Sequence, residues 1–216
     1  MNIAENIKKF TSELGPQITL VAISKTKSNE DILEAYHTGQ RIFGENKIQE
    51  LTDKWEALPK DIKWHMVGHV QTNKVKYMAP FVDLVQAVDS MKLLKEINKE
   101  AIKNNRIINC LLQIKIAEEE TKFGLSIEDA KKILSSEKYK EFKNVNVRGL
   151  MGMATFTEDI QQVKREFLTL KNIFDQLKTE NPGFDTLSMG MSGDYKLAVA
   201  CGSNMVRIGS SIFGER

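Results

Sequence analysis

Eight short apolar runs, separated by stretches of helical period, restrict this sequence more than any other feature. The runs span residues 18–24, 41–43, 63–67, 84–87, 107–115, 148–153, 186–189 and 206–208. Between them the spacing predicts helices over about 29–38, 46–57, 72–79, 90–104, 126–136, 158–179 and 193–201. The segment 158–179 carries the clearest period, with Val163, Phe167, Leu170, Phe174 and Leu177 repeating at three and four residues. Asp89-Ser90 and Ser126 read as helix starts, and Gly202 as a helix stop. Strands alternating with helices point to a parallel α/β fold, and eight is the number that closes a barrel. The expectation is a single (β/α)8 TIM barrel over residues 1–216, with a doubly wound open sheet as the alternative. Ile3, Ile7, Phe10 and Leu14 add an amphipathic N-terminal helix.

Composition narrows the function. Lys and Arg exceed Asp and Glu by only 31 to 29, which gives no basic stripe for nucleic acid. No apolar run is long enough to span a membrane. The N-terminus lacks the apolar region of a secretion signal, so a cytoplasmic protein is expected. Cys110 and Cys201 sit in apolar settings and read as buried free thiols. No histidine pair has metal-ligand spacing, so no metal is expected. His65 reads as a core histidine, His37 as surface, and His69 as a supporting residue near a strand end.

In such a fold ligands bind at the carboxyl ends of the strands. Lys25 follows the first run, "FGEN" the second, "GHVQTNK" the third, "MGMSGD" the seventh and "RIGSSIFGER" closes the chain. The last two supply Gly190, Gly193, Gly209 and the hydroxyls of Ser192, Ser210 and Ser211, with Ser192 at an expected helix N-cap. Glycine turns at the last two strand ends suit a phosphate. Arg207 lies inside the last run and needs a buried acceptor, either a ligand atom or an internal carboxylate such as Glu45. A lysine in a partly dry mouth can condense with a carbonyl. Lys25 beside a phosphate cradle therefore fits a sugar phosphate, as in an aldolase, or pyridoxal 5′-phosphate (PLP).

The blocks "VAISKTK", "GQRIFGENKIQE", "WHMVGHVQTNK" and "SMGMSGDYKLAVACGSNMVRIGSSIFGER" resemble the YggS/PROSC family of pyridoxal phosphate homeostasis proteins. The resemblance runs in order from about Leu20 to Arg216. It implies a barrel like the N-terminal domain of alanine racemase and a PLP carrier without demonstrable catalysis. Carried over by residue, it implies Lys25 as the Schiff-base lysine and Ser192, Gly209 and Ser210 at the phosphate. It places Arg207 at the pyridine nitrogen, where it would weaken the electron sink, and Asn46 near the ring. Met151 and Met153 are assigned to pocket walls, since "GMAT" stands where many relatives carry a proline. Apo PLP enzymes are the implied partners, and a monomer is expected. Nothing after the last block would build a lid with a second acid or base, which favours carriage over a PLP-dependent racemase.

Overall fold

A computed structural model describes residues 2–118 and 123–215. The eight strands form one closed parallel barrel in sequence order. They are β1 Thr19–Ile23, β2 Ile42–Glu45, β3 Lys63–Met66, β4 Leu84–Val88, β5 Ile108–Ile114, β6 Val145–Gly152, β7 Thr186–Ser188 and β8 Met205–Ile208. The last strand closes on the first, with Val21 opposite Arg207 and Ala22 opposite Ile208. β6 begins at Val145 rather than Arg148, because its outer half alternates buried Val145 and Val147 with polar Asn146 and Arg148.

The outer ring contains α1 Ile3–Leu14, α2 Asn29–His37, α3 Ile48–Ala57, α4 Val75–Met78, α5 Met91–Lys103 and α6 Ile127–Ser135. It continues with α7 Glu137–Lys140, α8 Ile160–Glu180, α9 Tyr195–Ala200 and α10 Ser210–Phe213. A 3-10 turn, Thr72–Lys74, leads into α4. Helix α1 buries Ile3, Ile7 and Phe10. Phe10 meets Tyr195 of α9 edge-on, and Asn6 bonds the carbonyl of Ile212, so α1 packs beside the β8–β1 seam. Hydroxyl caps start the helices where expected: Ser90 accepts from the Leu93 amide and Ser126 from the Asp129 amide. Gly202, with φ +98°, ends α9 where a side chain would be strained.

Strand alternation divides the core in two. Leu20, Ala22, Phe43, Trp64 and Met66 face outward to the helices with Phe167 and Leu170 of α8. Val21, Leu84, Leu111, Met151 and Met205 fill the barrel interior, with the partly buried Ile23, Ile42 and Met153 packed against them. Phe167 and Trp64 are wholly buried, and truncating either to alanine costs about 3–5 kcal/mol. Among the described residues no helix is long and apolar enough to cross a membrane.

Candidate ligand site at the barrel mouth

Val21 and Ile23 point into the barrel, and Lys25 follows in the turn at the carboxyl end of β1, on the side of the barrel mouth. Lys25 is half-buried in the turn after β1. Next to it on β2, Gly44 packs closely against β1: a Cβ there would lie 2.6 Å from Ile23 Cδ1 and would push that side chain aside. Asn46 follows, exposed at the rim. The loop after β3 crosses it so closely that a Cβ on Gly68 would fall 2.2 Å from the Asn46 carbonyl oxygen.

The far side of the mouth comes from the end of the chain. The Gly209 amide donates to Ser192 Oγ at 3.3 Å, so the turns after β7 and β8 meet. Ser210 is the exposed first residue of α10, whose leading N–H groups have no partner within the helix. Ser192 is not the N-cap expected for α9. Asp194 takes that position, and its carboxylate instead accepts from the Met191 amide at 2.6 Å, tightening the turn. Ser192 is thereby left to face Gly209.

Arg207 is buried on β8, and its alternative pairing with Glu45 does not occur. Its guanidinium donates to Ser188 Oγ at 2.6 Å and to the Gly152 carbonyl at 2.9 Å. Burial pulls its pKa down to about 10, partly offset through space by Asp194. Glu45 faces the other way, outside the barrel wall, and binds Ser24 and Lys54. Burial raises its pKa against the pull of Lys54.

Beneath Arg207 the interior is polar in one column. Ser188 Oγ donates to Gln86 Oε1 at 2.7 Å, and Gln86 Nε2 meets His65 Nδ1 at 3.0 Å. An arginine only donates, so Ser188 must pass its single proton to Gln86, which turns the Gln86 amide NH2 toward His65. His65 then accepts at Nδ1 and keeps its proton on Nε2, 3.5 Å from Asp83. Burial lowers the His65 pKa and the distant Asp83 contact does not offset it, so the ring is a neutral core histidine as expected. Gln86 and Ser188 escape a motif search. Their signal is a polar residue at an inward position of an apolar strand.

Met151 is fully buried in the barrel interior, and Met153 is partly buried and packs against the same interior cluster. His69 lies at the rim, paired with Asp89 at 3.0 Å and stacked on Phe123. His37 is exposed, and both cysteines are free and buried. Among the described residues no cluster of His, Cys, Asp or Glu could hold a metal.

A closed barrel with an amine, a guanidinium and a glycine-serine cradle at one mouth defines a class. The family described as "Alanine racemase, N-terminal domain" matches residues 1–216. An alanine racemase from Bartonella henselae, 15% identical, superposes with a TM-score of 0.75 over 100% of this chain and 60% of its own, a likeness of fold alone. The Pyridoxal phosphate homeostasis protein of Aquifex aeolicus is 41% identical, covering 91% of this chain and 86% of the relative. That of Helicobacter pylori is 39% identical, over 92% and 88%. PipY of Synechococcus elongatus, solved with PLP bound, is 32% identical, with a TM-score of 0.89 over 98% of this chain and 100% of its own. The chain belongs to the alanine racemase N-terminal domain family and, within it, to the pyridoxal phosphate homeostasis proteins.

Proposed function

We propose that this protein binds pyridoxal 5′-phosphate at the barrel mouth and serves as a non-catalytic carrier and buffer in intracellular vitamin B6 homeostasis. The observation that carries this reading is the β1–β8 register: Val21 lies opposite Arg207, so the amine that follows β1 and the guanidinium of β8 share one mouth. The donor set fits the group on three counts: an amine for the aldehyde, hydroxyl and amide groups for the phosphate, and a buried guanidinium for the ring nitrogen. PLP supplies an aldehyde that captures amines and a ring that withdraws electrons.

Lys25 holds the aldehyde end, and Ser192, Gly209 and Ser210 hold the phosphate. Asn46 borders the ring. Arg207 donates to the ring nitrogen without giving up its proton, since even at about 10 its pKa lies far above neutrality. An unprotonated ring withdraws electrons weakly, which suits storage and release rather than carbanion chemistry. The relatives' printed names, homeostasis proteins and not enzymes, support the same reading. The protein acts as one cytoplasmic barrel unit and a monomer, with apo PLP enzymes as recipients.

The test is an absorption spectrum of purified, PLP-treated protein before and after addition of an apo PLP enzyme. Borohydride should fix the pyridoxyl group to Lys25, and the recipient should gain activity as the protein loses colour. Lys25→Ala should lose the covalent link and keep weaker, phosphate-anchored PLP. Unchanged colour and affinity in that variant would refute the role of Lys25. Lys25-dependent exchange of an amino acid's α-proton in deuterated water would replace the carrier reading with a racemase-type enzyme.

A further inference from the structure

We propose that Lys54 is a positioning residue for Lys25, acting with Glu45 and Glu50 as a clamp on the turn that presents the amine. The proposal rests on the reading of Lys25 as the residue that takes the aldehyde. Lys25 is flanked by Ser24 and Thr26, and one ionic cluster, buried at Glu45 and Lys54 and half-buried at Glu50, grips both. Ser24 Oγ donates to Glu45 Oε1 at 2.6 Å, and the Ser24 carbonyl accepts from Lys54 Nζ at 2.7 Å. On the other side, the Thr26 amide donates to Glu50 Oε1 at 2.5 Å. Lys54 joins the two halves, bonding Glu45 at 2.8 Å and Glu50 at 2.7 Å. With Ser24, these partners use all three protons of the ammonium group.

The grip has something to oppose. Thr26 has φ +64°, in the left-handed region that a β-branched residue avoids. Such a conformation persists only where the surroundings over-determine it. Here the hold on Thr26 is Glu50, half-buried at the start of α3 and itself bonded to Lys54, a lysine 6% exposed that also pairs with the fully buried Glu45 of β2. A buried ion pair is an expensive way to join a strand to a helix. Bonding the backbone on both sides of Lys25 gives the cluster a second role, fixing the direction in which that side chain leaves the turn.

The experiment compares Lys54→Met and Glu50→Ala, each with and without Thr26→Gly. Two readouts are used: the rate at which PLP becomes borohydride-fixed at Lys25, and amide hydrogen exchange at residues 26 and 27 of the unloaded protein. Glu50→Ala leaves the Lys54–Glu45 pair intact and serves if Lys54→Met fails to fold. Loss of one charge-assisted bond should slow loading about tenfold in Glu50→Ala, and more in Lys54→Met, with faster exchange in both. Glycine occupies the left-handed region without strain, so Thr26→Gly should recover at least about threefold in loading while leaving the parent close to wild type. A cluster that served stability alone would not be rescued in this way. Wild-type loading rates in either variant, or no recovery with glycine, overturn the proposal. If the wild-type protein does not load at Lys25, the reading of the site fails instead, and the exchange data alone then decide whether the clamp holds the turn.

Discussion

Lys54 and Arg207 are both buried cations beside the same mouth, yet they are buried in opposite ways. Lys54 lies outside the barrel wall and has two carboxylates, Glu45 and Glu50, within 2.8 Å. Arg207 lies inside it and, among the described residues, donates to a hydroxyl and a carbonyl. A cation paired with carboxylates spends its charge on structure. One whose hydrogen bonds go to neutral oxygens, with Asp194 acting on it only through space, has less of its charge compensated, and desolvation pulls its pKa to about 10. The lysine bonds the turn after β1, and the arginine is the cation that the proposed function assigns to the ligand.

The largest effect expected from this contrast is on stability. Lys54→Met strands the buried Glu45 carboxylate, whose Oε2 already has no hydrogen-bond partner, and should cost about 3–5 kcal/mol in urea unfolding. Arg207→Leu removes a cation that has neutral partners, so about 1–3 kcal/mol is expected. Equal losses would erase the distinction between the two sites. Ser188→Ala should cost about 1–2 kcal/mol by leaving both an Arg207 donor and the Gln86 carbonyl facing a methyl group.

The floor of the column gives a pH signature. Burial depresses the folded pKa of His65, so the unfolded imidazole takes up a proton that the folded one refuses. Stability is therefore unaffected at neutrality and falls as pH drops below about 6.5, by at most about 1.4 kcal/mol per unit. Unfolding midpoints at pH 7.5 and 5.5 should separate in wild type and draw together in His65→Gln. The smallest change is Thr26→Gly: relief of left-handed strain is offset by a more flexible unfolded chain, for a net effect under about 1 kcal/mol.

Much of the frame was legible because periodicity is a local property. Strand β1 and helix α8 match their expected spans to within a residue or two, since burial on one face repeats at the period of the element itself. The four-residue helices α7 and α10 were missed because one turn is too short to show a period. Of the candidate site residues, Lys25, Ser192, Gly209 and Ser210 stood at strand ends with chemistry of their own. Lys54 was hidden in the charged run "ELTDKWEAL", which reads as a solvated helix face. Gln86 was equally hidden, because its partner Ser188 lies 102 residues away.

The sequence by itself determined the eight-fold alternation, the inward and outward faces of each strand, and the residue types that could meet at the mouth. These follow from backbone period and side-chain chemistry, which need no knowledge of distant neighbours. Only the tertiary structure decided which groups pair. It assigned Glu45 to Lys54 and Arg207 to Ser188 and Gly152, and it made Asp194, not Ser192, the cap of α9. Those choices depend on closure of β8 onto β1, which sets the register of residues nearly a full chain apart, and the energy of a buried charge depends on those neighbours.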